Sequence, residues 1–97
     1  MPFPMQTPQP FTLGAIERLP PNQIGVFGLM NKSEWVYIGT GKIRESLLAQ
    51  LGSQSPCVAK HKPTLFLIEV TNDPERREKQ LLREFQPICN GQQAHRI

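Results

Sequence analysis

The sequence predicts a small α/β (α+β) fold of order β-β-α-β-α, in which a three-stranded sheet is flanked by helices. Three observations carry this. Residues 24–30 (IGVFGLM) and 35–39 (WVYIG) are rich in β-branched and aromatic side chains, and a short polar break makes them a hairpin. A third stretch of the same kind, residues 64–70 (TLFLIEV), follows a long loop. Two further segments carry apolar residues at helical spacing, one before that strand and one after it. A chain of 97 residues, 38% of them hydrophobic, allows one domain with one modest core, which such a sheet and two covering helices use up.

Taken in order, residues 1–22 form a proline-rich arm. They hold six of the ten prolines and no acid before Glu17. Residues 1–10 are expected to be extended or disordered, since helix cannot form between closely spaced prolines. Phe11, Leu13, Ile16 and Leu19 predict a short helix over 12–19, stopped by Pro20-Pro21. Residues 23–91 are the domain proper and 92–97 a polar tail. The glycines of the first strand, Gly25 and Gly28, imply close approach by other groups. Residues 31–34 are a polar turn, and Thr40-Gly41 turns the chain into a helix over 42–51 with Ile43, Leu47, Leu48 and Leu51 as its stripe. Residues 52–63 read as a loop carrying Cys57, Lys60, His61 and Lys62.

The last helix, read over residues 73–90, contains an acid on an unexpected face. Asp73 stands at the N-cap and Pro74 at the first helical position, where a missing N–H costs nothing. Leu81, Leu82 and Phe85 form the apolar stripe. Glu78 lies three, four and seven residues before them and so points along the stripe's centre. Arg76, Lys79, Gln80 and Arg83 cover the opposite face. A carboxylate facing a core needs a partner, a proton or a cation. Two readings stay open: a helix rolled so that Glu78 meets an arginine at the rim, or a catalytic or metal-binding acid on a cleft floor.

A net charge of +3 and a pI near 9.2 are compatible with nucleic acid without establishing it. No apolar run approaches 18 residues, and proline and glutamine stand where a leader peptide would be basic and then apolar. The expectation is a cytoplasmic protein without membrane contact. Two cysteines make no disulfide framework, so Cys57 and Cys89 are expected reduced. A zinc site from Cys57, His61, Cys89 and His95 matches no compact finger spacing, and buried cysteines with surface histidines are preferred. Trp35 is read as a hairpin packing residue rather than a base-stacking platform. No nucleophile elbow supports a serine or cysteine hydrolase.

GVF at residues 25–27, a turn, YIG at 37–39, and then helix, strand and a helix with the spacing Glu78-x8-Pro87-x2-Asn90 together resemble the GIY-YIG nuclease domain. That domain occurs in homing endonucleases, some restriction enzymes and the incision subunit of bacterial nucleotide excision repair. The resemblance spans about residues 24–90 and is nearest to small stand-alone members with a YIG-x3-IR helix start and two cysteines placed as here.

This resemblance implies a metal-dependent endonuclease that hydrolyses phosphodiester bonds in DNA. Glu78 would bind a single Mg²⁺ (or Mn²⁺), in keeping with the helical reading above. Tyr37 would border the nucleophilic water and the scissile phosphate, and Asn90 would brace the site. Gly25, Phe27 and Gly39 would be structural. The sequence departs from the family at two positions. Phe27 replaces a tyrosine and loses its hydroxyl, and Ser46 stands where a phosphate-contacting arginine is usual. Arg44 lies about 160° from position 46 on the helix, inside the stripe. Lys42, one turn before Ser46 on the same side, is the better replacement, as a point charge without a fork. Lys42, Arg44, Lys60 and Lys62 are the candidate DNA phosphate contacts, the last two expected toward the Tyr37 end of the sheet. The alternative is a catalytically degenerate domain that binds nucleic acid or protein. With no second domain in view to read sequence, non-specific action, a protein partner or a homo-oligomer is expected.

Overall fold

The computed structural model describes residues 3–32 and 34–90. Its elements are β1 (Gln9–Pro10), α1 (Leu13–Glu17), β2 (Ile24–Met30), β3 (Trp35–Lys42), α2 (Ile43–Gly52), α3 (Pro56–His61), β4 (Leu65–Val70) and α4 (Pro74–Phe85). The strands form one antiparallel sheet in the order β1-β4-β2-β3. β2 takes the centre because its residues are apolar on both faces, whereas β3 forms an outer edge. A bulge between Leu29 and Met30 bends the hairpin near its turn.

The fourth strand comes from the arm. Gln9 and Pro10 pair with Phe66 and Leu65, and proline is tolerated there because β1 is an edge. The Gln6 carboxamide holds the same rim, donating from Nε2 to the Ile68 carbonyl at 2.8 Å and accepting from the Ile68 N–H at 3.0 Å. Phe3 is buried and stacks on Trp35 at 5.5 Å between ring centroids. The arm is therefore extended and docked, and Trp35 is a packing residue.

Alternation along the strands sends side chains to two layers. Phe27, Leu29 and Phe66 face α1, α2 and α3, where Ile16, Leu47 and Val58 close the larger core. Val26, Ile38 and Leu67 face α4, where they meet Leu81 with Phe3 alongside.

Several boundaries differ from the sequence reading. β3 continues through Thr40-Gly41 to Lys42, with Gly41 at φ +127°. The expected loop over 52–63 contains α3: the Ser55 hydroxyl accepts from the Val58 N–H at 3.4 Å, Pro56 opens the helix, and Lys62 ends it in the left-handed region. α4 stops at Phe85, because Gln86 turns left-handed at φ 48° and Pro87 follows; residues 88–90 are helical again. Asp73 stands at the α4 N-cap without a side-chain capping bond, its carbonyl accepting from the Arg77 N–H at 3.2 Å.

The cysteines overturn an expectation. Cys57 and Cys89 are disulfide-bonded rather than reduced. α3 carries Cys57 to the segment after α4 and brings the two Cα atoms to 5.7 Å, within bridging range. Bonded sulfurs cannot serve as thiolate ligands, which removes the zinc reading; His95 and the tail over 92–97 lie outside the described residues. Among the described residues no group of three or more His, Cys, Asp or Glu side chains is placed to hold a metal, and no helix is long and apolar enough to cross a membrane.

Candidate active site at the edge of β3

β3 presents its outer backbone groups at Ile38, between Tyr37 and Gly39, and Asn90 covers them. Its Oδ1 accepts from the Ile38 N–H at 2.8 Å and its Nδ2 donates to the Ile38 carbonyl at 2.9 Å. Gln86 and Pro87 make this possible, since they turn the chain out of α4 and back toward the strand.

Tyr37 is half-buried on the α2 side of the sheet, with its ring 6.1 Å from that of Phe27 and tilted by 46°. Gly39 makes room for both rings. A Cβ there would lie 2.7 Å from Phe27 Cζ and 2.9 Å from Tyr37 Cε2. Phe27 is only 2% exposed and belongs to the core, so the position where the family carries a tyrosine is closed to solvent here. Gly25 serves strand packing, because a Cβ would run into the Glu69 carbonyl oxygen and lie 2.9 Å from Val70 Cα.

Glu78 belongs to the other layer. On α4, Arg77 Nε donates to both carboxylate oxygens of Glu69 on β4, at 2.7 and 2.9 Å. Glu78 is about 100° further round the helix. With Arg77 turned to β4 and Leu81 on the sheet, Glu78 falls on the β3 side. The helix thus offers an arginine at its flank, but the partner is Glu69. Glu78 is half-buried and, among the described residues, has no hydrogen bond or ion pair. Burial pushes its carboxyl above the ordinary glutamate range, and the nearby charge of Glu75 adds to this.

The cations are spread along the strand. Lys42 is exposed and pairs across from Ile24 at one end of β3. Lys60 and Lys62 are exposed at the end of α3, where Asn31 Nδ2 donates to the His61 carbonyl at 3.1 Å, beside the hairpin turn. Lys42 and Lys62 therefore belong to opposite ends, and Lys42 is five residues or roughly 17 Å along the strand from Tyr37. Arg44 is half-buried, with Nε enclosed and without a hydrogen-bond partner among the described residues. Ser46 is half-buried beside β3, its Oγ 3.0 Å from where a Cβ on Gly41 would stand. Tyr37 and Ser46 thus lie in the α2 layer and Glu78 in the α4 layer, with Asn90 on the edge of β3.

No protein-family model and no curated protein matches this sequence. Solved structures do. One is the N-terminal endonuclease domain of UvrC from Thermotoga maritima, a GIY-YIG domain, as an asparagine-to-alanine point mutant bound to its catalytic divalent cation. It is 19% identical with a TM-score of 0.57, over 78% of this chain and 94% of that one. The fold is that of the GIY-YIG endonuclease domain. A second structure, a tyrosine-to-phenylalanine mutant of the same domain, also bound to the catalytic divalent cation, is 20% identical with a TM-score of 0.56 over the same shares.

Two features of this fold escape sequence reasoning. The Gln6 clamp has no local signal, because its partner Ile68 is far away in the chain. Ser55-Pro56, a cap residue followed by proline, is a helix start that was readable, and it would have brought Cys57 out of the loop.

Proposed function

We propose that this GIY-YIG domain is a divalent-metal-dependent endonuclease hydrolysing phosphodiester bonds in DNA, with Glu78 as its metal-holding acid. Glu78 is the observation that carries the reading. A half-buried carboxylate with raised proton affinity and no partner among the described residues opposes folding unless something binds it. One carboxylate with waters and a substrate phosphate is a usual donor set for Mg²⁺ or Mn²⁺, and Glu78 fits it. The bound cation would supply stabilisation of charge on the phosphate and the leaving oxygen. Tyr37 would orient the attacking water from the other side of the rim, and Asn90 would fix the strand that carries it. Arg44, whose Nε has no partner among the described residues, would take the phosphate, and Lys42, Lys60 and Lys62 the flanking backbone toward the two ends of β3. The UvrC domain holds its cation with one tyrosine replaced by phenylalanine, which supports a metal site that tolerates such a change.

A second reading, a degenerate domain that binds nucleic acid or a protein without cutting, is favoured by the burial of Phe27 and by Ser46. Nicking of supercoiled plasmid by the purified protein with Mg²⁺ or Mn²⁺, beside Glu78→Ala, separates the two. Cutting by the parent that is lost in the variant supports the nuclease. Inert parent protein that still retards DNA supports the binding module. Recruitment by a protein partner or by a second copy, in the cytoplasm, would supply sequence specificity.

A further inference from the structure

We propose that the Cys57–Cys89 disulfide is a redox latch: it holds Asn90 on the edge of β3, and a dithiol reductant releases it. Cys89 directly precedes the asparagine that clamps Ile38, so the bond fixes the clamp's own backbone. Its other end is firmly placed. α3 is capped by Ser55, buries Val58 in the main core and is tied at His61 to Asn31. The segment being held has few other ties. After the left-handed turn at Gln86, the described residues 87–90 reach the rest of the fold through the disulfide, the Asn90 clamp, the burial of Pro87 and Cys89 and the packing of Ile88 against the main core. Without the covalent link, the two hydrogen bonds of Asn90 and the packing of Pro87, Ile88 and Cys89 must hold this segment to the edge strand.

The chemistry is ordinary thiol–disulfide exchange. Cys57 is half-exposed and Cys89 is 1% exposed, so a reductant thiolate attacks Cys57 Sγ and Cys89 leaves as a thiolate that takes up a proton. The reductant's second thiol then displaces Cys57. Two cysteine thiols form as the dithiol becomes a cyclic disulfide. In the reducing compartment that the sequence suggests, such a bond is transient, which is the setting a switch requires. Released, residues 87–90 can leave the strand and uncover the Ile38 backbone between Tyr37 and Gly39. That this alters catalysis rests on the function proposed above; the release itself does not.

Amide hydrogen exchange tests the release with neither DNA nor metal present. The oxidised 97-residue chain is compared with the same chain in dithiothreitol, following Ile38 against Val26 of the central strand. The expected result is exchange at Ile38 roughly ten-fold or more faster on reduction, with Val26 little changed. Cys57→Ser should behave as the reduced protein does. In Asn90→Ala, Ile38 should exchange fast in both states and the redox response should vanish. Unchanged exchange at Ile38, or an equal rise at Val26 that reports global opening, would overturn the latch. So would two thiols that stay free in oxidised glutathione.

Discussion

Asn90 satisfies both backbone groups of Ile38 with one carboxamide, at 2.8 and 2.9 Å. Among side chains only Asn and Gln present a donor and an acceptor side by side in this way. Asn90→Ala removes both bonds, and it should cost about 1–2 kcal/mol of stability by urea denaturation. Asn90→Asp keeps an acceptor for the N–H but sets a second carboxylate oxygen against the Ile38 carbonyl. It should therefore be at least as damaging at neutral pH, and it should recover as the new acid is protonated.

The raised proton affinity of Glu78 makes a prediction of definite sign. Between the ordinary glutamate range and its raised folded value, the native state binds more protons than the unfolded one. Stability therefore falls as pH rises through that window. Glu78→Gln should flatten this decline and leave the protein more stable than the parent at neutral pH. Mg²⁺ or Mn²⁺ should raise the melting temperature of the parent but not of Glu78→Gln, and the parent's metal affinity should weaken as pH falls through the same window. Calorimetric scans across pH, with and without metal, check all three.

Gly25 and Gly39 should respond unequally to alanine. At Gly25 the obstacle is the backbone of β4, which cannot step aside without parting the strands. At Gly39 it is the rims of two rings, which can shift. Both variants should lose about 1–3 kcal/mol, with Gly25→Ala at the upper end or unfolded. Gly39→Ala should in addition change the Tyr37 fluorescence or aromatic NMR signals.

Phe27 and Ser46 test how far the site is disarmed. Phe27→Tyr places a hydroxyl in a buried position and should cost about 1–3 kcal/mol. Ser46→Arg restores a fork beside β3. If the endonuclease reading holds, the double variant should cut plasmid faster by on the order of 10²-fold, the scale set by one charge-stabilising donor. A double variant that folds and gains nothing favours the binding module.

The core of the fold was legible because β2, β3, β4 and the stripe of α4 are written as local patterns. Leu81 is fully buried as its spacing requires, and Glu78, expected along the centre of the stripe, is half-buried beside it. What was not legible depends on distant partners or on one residue's backbone. Gln86 ends α4 five residues early, at Phe85, through a left-handed turn for which glutamine gives no warning. β1 exists only because β4 leaves a rim open, so Gln9 and Pro10 gave no sign of it. Tyr37 and Glu78 were both readable as candidates, but their arrival from opposite layers follows from the sheet order and the bulge, which no local pattern encodes.

The Gln6 and Asn90 clamps have a consequence for assembly. Each rim of a β-sheet is a template on which another chain can add a strand, and proteins that fail to blunt it aggregate. Here one amide side chain occupies the template at Ile68 and another at Ile38, so neither rim offers consecutive free groups at its middle. Strand addition from a neighbouring molecule is therefore hindered at the middle of both rims. Strip the arm away and β4 becomes an adhesive edge, on which copies of the domain would stack.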